Sequence, residues 1–325
     1  MSGRARGAAI TASAALLCAL AAQAAQAQDV RKLSTFSTTG KIVVASGCGK
    51  SGFVAGLIRG GSIAVWQLPS GKVASSWKSA EGVSSLACSP DGKWIALGRS
   101  DGTVEIADIA GKPARTLAAG HGDVTDVAYA PDGSLLAVSL HEKPVQLWNP
   151  VNGSRVAELE TDFSGSRGMV FSPDSSAFAT SDADTTVRVY DRAGKLKAKY
   201  TDLLLEPFAI DFLPNGKEIL VGGADDTLTI LDASNAHLSR QLPKRPSPIF
   251  GAIALPGGHS LLSLEIDAAT LAKFTVVLWN LGTGAQRELA IDGAKIVGYG
   301  QLSNGQPVLF TADSDASLSM WSVPD

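Results

Sequence analysis

A hairpin signal returns along this chain at a nearly constant interval, and that interval restricts the fold more than any other feature. Ser89-Pro90-Asp91-Gly92, Ala130-Pro131-Asp132-Gly133, Ser172-Pro173-Asp174-Ser175, Leu213-Pro214-Asn215-Gly216 and Leu255-Pro256-Gly257-Gly258 set their prolines 41, 42, 41 and 42 residues apart. Proline presets its own φ, and glycine accepts the positive φ that a tight turn needs. A weaker copy, Ser303-Asn304-Gly305, begins 47 residues after Pro256.

A second marker keeps the same beat. Trp66, Trp148, Trp279 and Trp321 close short apolar strands, and Ala107, Tyr190 and Leu231 hold the same register, in steps of 41, 41, 42, 41, 48 and 42. Both markers stretch at one place, which puts an insertion around Ile266 to Lys273 in the sixth unit. Units of this length that cannot bury their faces alone must stack on one another. The count is seven.

These residues resemble the WD-repeat family, and the chain is similar to an exported bacterial-type member of it. The family pattern runs from a Gly-His pair through a strand ending in Ser-Pro-Asp-Gly, a second strand, an acidic turn, and a third strand ending in Trp-Asp. Gly120-His121 supplies the pair once, and the Trp-Asp position reads Trp66-Gln67, Ala107-Asp108, Trp148-Asn149, Tyr190-Asp191, Leu231-Asp232, Trp279-Asn280 and Trp321-Ser322. Asp101, Glu142, Asp184, Asp225 and Asp315 match the turn acid, while Gly60 and Lys273 replace it in blades 1 and 6. The resemblance implies an all-β, seven-bladed β-propeller over residues 28–325. It also implies that His121, Ser139, Glu142 and Trp148 build a variant of the family's His-Asp-Ser-Trp network in blade 3. The spare strand Val30 to Phe36 precedes blade 1, and the sequence of blade 7 stops after its third strand. A ring leaves an unpaired edge unless it closes, so Val30 to Phe36 is expected to be the outermost strand of blade 7.

Residues 1–27 read as a signal peptide rather than as part of the fold. Arg4 and Arg6 precede the apolar run Ala8 to Ala22, and Ala25-Gln26-Ala27 is a small-x-small cleavage site. The run is short for a stable membrane span. The expected location is therefore periplasmic or secreted. Without Arg4 and Arg6 the chain keeps 26 basic and 31 acidic residues, a net charge of −5, which disfavours nucleic acid as a partner. Cys48 and Cys88 would remain in a disulfide-permissive compartment. Two separate buried thiols are the expectation, and a disulfide linking blades 1 and 2 is the alternative.

Few residues suggest chemistry. Ser46-Gly47-Cys48-Gly49-Lys50-Ser51 resembles a phosphate loop, but the segment after it, Phe53 to Ile58, reads as a strand where a phosphate loop needs a helix. Asp126 and Asp211 lie on innermost strands, and two carboxylates are too few for a calcium site. The histidines at 121, 141, 237 and 259 lack metal-ligand spacing. No catalytic residue, metal site or cofactor is expected.

The remaining candidate is a binding surface. Six residues before each turn proline, the innermost strands carry Ser84, Thr125, Arg167, Phe208 and Phe250, with Val297 in blade 7. These should face the ring opening, and aromatics beside an arginine are typical of interface hot spots. Packing of both phenylalanines between the blades is the competing reading. The expected function is an exported, monomeric, non-enzymatic scaffold for a protein or peptide partner. The alternative is a metal-dependent hydrolase or small-ligand binder that uses the central channel.

Overall fold

The computed structural model describes residues 30–79, 81–160, 165–267, 274–291, 295–313 and 316–323. The signal-peptide reading, most of the insertion and Asp315 lie outside the described residues.

Strand β1 (Arg31–Ser37) comes first among the described residues. Blade 1 follows with β2 (Ile42–Gly47), β3 (Phe53–Ile58), β4 (Ser62–Gln67) and β5 (Lys72–Lys78). Blade 2 holds β6 (Val83–Cys88), β7 (Trp94–Arg99), β8 (Thr103–Asp108) and β9 (Pro113–Ala118). Blade 3 holds β10 (Val124–Tyr129), β11 (Leu136–Leu140), β12 (Gln146–Trp148) and β13 (Arg155–Glu158). Blade 4 holds β14 (Ser166–Phe171), β15 (Ala177–Asp182), β16 (Val187–Asp191) and β17 (Leu196–Tyr200). Blade 5 holds β18 (Pro207–Phe212), β19 (Glu218–Gly223), β20 (Leu228–Asp232) and β21 (Leu238–Gln241). Blade 6 holds β22 (Ile249–Ala254), β23 (Ser260–Ile266), β24 (Phe274–Asn280) and β25 (Gln286–Leu289). Blade 7 holds β26 (Lys295–Gln301), β27 (Pro307–Ala312) and β28 (Ser317–Ser322), and β1 completes it by pairing antiparallel with β28 from Arg31↔Ser322 to Ser37↔Ser317. The ring is thus a seven-bladed all-β propeller, closed by the strand that precedes blade 1. Closure pairs an edge that would otherwise be open.

The core is divided among the interfaces between blades. Side chains alternate across a strand, so one strand feeds two interfaces. In β4, Ala64 and Trp66 pack toward blade 7, while Ile63 and Val65 pack toward blade 2. This is why the third strands are apolar on both faces. The residue in the tryptophan register always turns toward the preceding blade: Trp148 toward blade 2, Tyr190 toward blade 3, Trp279 toward blade 5 and Trp321 toward blade 6. In β12, pairing starts at Gln146 rather than Pro144, because proline has no N–H for a ladder.

In blade 2 the register residue is the small Ala107, which pairs with Ile95 on the side facing blade 1. Trp77 of β5 packs into the cluster between blades 1 and 2, and so does a disulfide between Cys48 and Cys88, whose Cα atoms are 4.8 Å apart. The expectation of two separate thiols is therefore corrected. Cys88 ends β6 and Cys48 sits one residue beyond β2, so they face each other across neighbouring blades. The phosphate-loop lookalike is the first hairpin of blade 1. Gly49–Ser51 forms a single 3-10 turn, Cys48 N–H donates to the Phe53 carbonyl at 2.9 Å, and a strand follows.

Candidate protein-binding face

All seven innermost strands share one backbone irregularity. Their pairing with the second strand slips by one residue near the start, which leaves one residue unmatched: Val43, Ser84, Thr125, Arg167, Phe208, Phe250 and Val297. A bulge of this kind bends the strand and re-aims the side chain. Each bulge lies at the start of its strand, near the end of the ring that carries the blade-to-blade crossovers. The positions six residues before the turn prolines are these bulges. Val43, 38% exposed, belongs to the same set, although no turn proline marks it.

The bulge residues differ in what they offer. The Ser84 hydroxyl donates to the Val124 carbonyl of blade 3 at 2.6 Å, and the Thr125 hydroxyl donates to Ser139 Oγ at 3.0 Å, so both are tied back into the ring. Arg167 is exposed and pairs with Glu206 across 3.3 Å. Phe208 and Phe250 stack face to face between blades 5 and 6, with centroids 4.6 Å apart and planes 3° from parallel. Their packing is mutual and leaves Phe250 38% exposed. On the crossover into blade 5, Leu204 and Leu205 are 79% and 50% exposed, whereas Leu203 packs inward. Blades 4 to 6 thus carry the stacked rings, two exposed leucines on the crossover that leads to Phe208, and the Arg167–Glu206 ion pair. The leucines carry no repeat signature and were not among the sequence-derived candidates.

The channel carboxylates do different work. Water reaches Asp126, yet the ring walls it in, and burial raises its pKa to about 6 against the opposing hydrogen bond from Val127 N–H at 2.9 Å. Asp211 is pushed further, to about 7, by burial, while Ala254 N–H donates to it at 2.9 Å and so links blades 5 and 6. Among the described residues no group of three or more His, Cys, Asp or Glu side chains is placed to hold a metal ion.

The polar relays inside the blades depart from expectation. His121 is exposed, and the network of His121, Ser139, Glu142 and Trp148 does not form. Instead Trp148 Nε1–H donates to Gln146 Oε1 at 3.0 Å, and Gln146 Nε2–H donates to the Ala119 carbonyl at 2.9 Å. Glu142 is exposed at φ +53°, 3.8 Å from His141. The cause is local: Gln146 lies two residues before the indole on the same strand face, nearer than anything on the crossover. In blade 6 Trp279 Nε1–H donates to Ser263, Ser263 to Glu265, and Arg245 Nε–H to Glu265 at 2.7 Å. In blade 7 Trp321 donates to Thr311, which donates to Asp313. In blade 4 Thr180 and Arg188 meet Asp182, and Arg188 also pairs with Asp184. A sequence signal for these relays exists at the end of the second strands, in Thr180-x-Asp182, Ser263-x-Glu265 and Thr311-x-Asp313. The turn acids Asp101 and Asp225 accept from the N–H groups of Thr103 and Thr227 at 2.9 and 3.2 Å.

Comparison with known proteins agrees with this architecture. The family described as WD domain, G-beta repeat matches residues 71–108, 111–149 and 153–191, which end on the third strands of blades 2, 3 and 4. The chain is 25% identical to Protein HIR1 of Kluyveromyces lactis over 75% of its own length and 34% of that protein. It is 25% identical to a guanine nucleotide-binding protein subunit beta of Oryza sativa subsp. japonica, over 74% of this chain and 69% of that one. An uncharacterized WD repeat-containing protein of Synechocystis is 34% identical over 29% of this chain and 28% of its own. The chain spans about a third of the length of the HIR1 protein it matches. Among solved structures, a chain of the mitotic checkpoint complex superposes with a TM-score of 0.78 at 18% identity, covering 91% of this chain and 95% of that one. That likeness shows the fold.

Proposed function

We propose that this propeller, three of whose blades match WD repeats, is an exported, non-enzymatic interaction module that holds an apolar peptide segment of a partner protein on its crossover face. The observation that carries the reading is the Phe208–Phe250 stack, of which Phe250 is exposed, with exposed Leu204 and Leu205 on the crossover that leads to it. A stacked pair holds its shape without being buried, and rigid aromatic surface loses little entropy when a partner covers it. The Arg167–Glu206 pair at the edge gives a partner's backbone or side chains a donor and an acceptor. Export is supported by the leader-like pattern of residues 1–27 and by the Cys48–Cys88 disulfide, a bond that persists in oxidising compartments.

The test compares the mature protein with a Phe208→Ala, Phe250→Ala, Arg167→Ala variant as immobilised bait for the exported fraction. Loss of specific capture at an unchanged melting temperature is expected. Equal capture by the variant overturns the patch. Export is checked by N-terminal sequencing, which should begin at Gln28; recovery of cytoplasmic protein that retains Met1 overturns it. The competing reading, a hydrolase or small-ligand binder in the channel, draws on the raised carboxyls of Asp126 and Asp211. A divalent cation that reproducibly raised the melting temperature, and failed to do so after Asp126→Asn, would favour that reading.

A further inference from the structure

A cavity of about 510 Å³ opens between blades 2 and 3, at the end of the ring opposite the bulges. Its size suits a small ligand or one large side chain. The apolar part of its wall includes Trp94, 39% exposed, and Val151, 75% exposed. Trp94 opens β7 at a ladder position held by Ala177, Glu218 and Ser260 in blades 4, 5 and 6. The repeat therefore does not call for an indole there.

The polar groups of the cavity are unevenly committed. Asp91 accepts from Ser89 and from Lys93 N–H, and its other oxygen pairs with the Lys93 ammonium at 3.5 Å. Asp132 accepts from Ser134 and pairs with Arg192 at 2.8 Å. Each of these acids has a cation of its own. Arg115 makes no hydrogen bond or ion pair with any described residue, and its Nε–H is buried without an acceptor. The Tyr129 hydroxyl is likewise buried without a hydrogen-bond partner. Burial, and then the charge of Asp91, raises the pKa of that hydroxyl and keeps it a donor. The wall thus holds two carboxylates, each paired with a cation from outside the lining, and one unpaired cation, Arg115, with idle donors on Arg115 and Tyr129. Buried polar groups are seldom left this way without an unseen partner.

We propose that this cavity binds a small apolar carboxylate, with its aryl or alkyl body against Trp94 and Val151 and its carboxylate on Arg115 and the Tyr129 hydroxyl. Arginine presents a planar fork that matches a carboxylate, and a charge-assisted hydrogen bond in an apolar wall is strong. The same chemistry could come from a free acid or from the C-terminal residue of a peptide.

The mature protein is titrated by calorimetry and tryptophan fluorescence with 4-phenylbutyrate, its neutral amide, the tripeptide Gly-Gly-Phe, and Gly-Gly-Phe amide. Saturable binding of at least one acid is expected, with its amide weaker by about tenfold or more. Arg115→Gln should weaken the acid by about tenfold and Tyr129→Phe by a smaller factor, with the melting temperature of both variants unchanged. Trp94→Phe should abolish the fluorescence change while calorimetric binding persists. Tighter binding of 4-phenylbutyrate marks a free acid as the source, and tighter binding of Gly-Gly-Phe marks a peptide terminus. The Phe208→Ala, Phe250→Ala, Arg167→Ala variant should bind like the parent protein, which separates this site from the crossover face. No saturation by either acid, equal binding of acid and amide, or indifference to Arg115→Gln each overturns the proposal.

Discussion

Phe36 anchors the strand that closes the ring. Phe36 of β1 is 1% exposed, stacks on Trp66 at 6.4 Å and an interplanar angle of 22°, and packs with Val308, Phe310 and Met320 in the interface between blades 7 and 1. A Cβ added at Gly71 would lie 2.2 Å from its ring, so the phenyl fills its site without slack. In Phe36→Ala, the lost transfer free energy is about 2–3 kcal/mol. Removing the ring leaves a cavity of roughly 100 Å³, which at about 24 cal/mol per Å³ adds about 2 kcal/mol if nothing collapses into it. The expected destabilisation is therefore about 3–5 kcal/mol. The assay is urea unfolding followed by circular dichroism, with the midpoint and the slope fitted separately. Leu33→Ala, on the same strand but 39% exposed, is the control and should change stability by less than about 0.5 kcal/mol. Limited proteolysis of Phe36→Ala should also cut within β1 before any other strand. A loss below about 1 kcal/mol would refute the argument, because a ring closed through a seated Phe36 cannot give it up that cheaply.

Three further outcomes can be measured in the same way. Gly102 sits at φ +83°, and a Cβ there would lie 2.0 Å from the Gly120 carbonyl oxygen, so Gly102→Ala should cost about 2–4 kcal/mol in urea midpoint terms; an unchanged midpoint would show that the crossover into blade 3 yields freely. Gln146→Leu strands the Ala119 carbonyl and the Trp148 indole N–H and should cost about 2–4 kcal/mol, read as a fall in melting temperature; a neutral result would mean that water replaces both bonds. Burial lifts the pKa of Asp211 to about 7, above its unfolded value, so the folded state holds the extra proton and wild-type stability should fall as pH rises from about 4 to about 7. Asp211→Asn keeps an acceptor for Ala254 N–H and should remove about 1–2 kcal/mol of that fall once screening by channel water is allowed for, measured as urea midpoints at pH 4.5, 6 and 8; identical pH slopes for the two proteins would contradict it.

What could be read from the sequence follows from where the physics is local. A Pro-Asp-Gly turn is settled by four residues, so the hairpins around Pro90, Pro131, Pro173 and Pro214 stand at the ends of the innermost strands as the spacing requires. The tryptophan register is also local, because alternation along one strand decides which face an indole takes. Blade 1 was less legible. Its first hairpin turns through the 3-10 turn Gly49–Ser51 without proline, and so Val43 escaped notice as a bulge residue. The relays of Glu265 with Arg245 and of Asp182 with Arg188 were missed for another reason. The family pattern directs attention to histidine on the crossover, while here Arg245 on the crossover into blade 6 and Arg188 on the third strand of blade 4 supply the donors. The Cys48–Cys88 bond could not be settled from the sequence, because strand parity brings two cysteines of neighbouring blades face to face without fixing the separation of their Cα atoms. Leu204 and Leu205 were invisible as a patch because nothing in an exposed crossover says which leucine turns in and which turns out.

The bulges explain how one repeated architecture can carry a surface confined to part of the ring. The register slip is a backbone feature, and it is present whether the extra residue is Ser84, Arg167 or Phe208. The side chain there lies outside the apolar clusters between blades, which are built from residues on either side of it such as Val83 and Leu86. Its identity can therefore change without disturbing the interfaces that hold the ring together. Blades 2 and 3 use the freedom for hydroxyls that bond back to the backbone or to a neighbouring serine. Blades 5 and 6 use it for two rings that have each other to stack on, and this mutual support lets large apolar side chains stay at the surface without a core to enter. A single phenylalanine at one bulge would lack that support and would tend to fold down over its own blade. The pair has to be adjacent, and the repeat makes it so, because the same position recurs one blade apart.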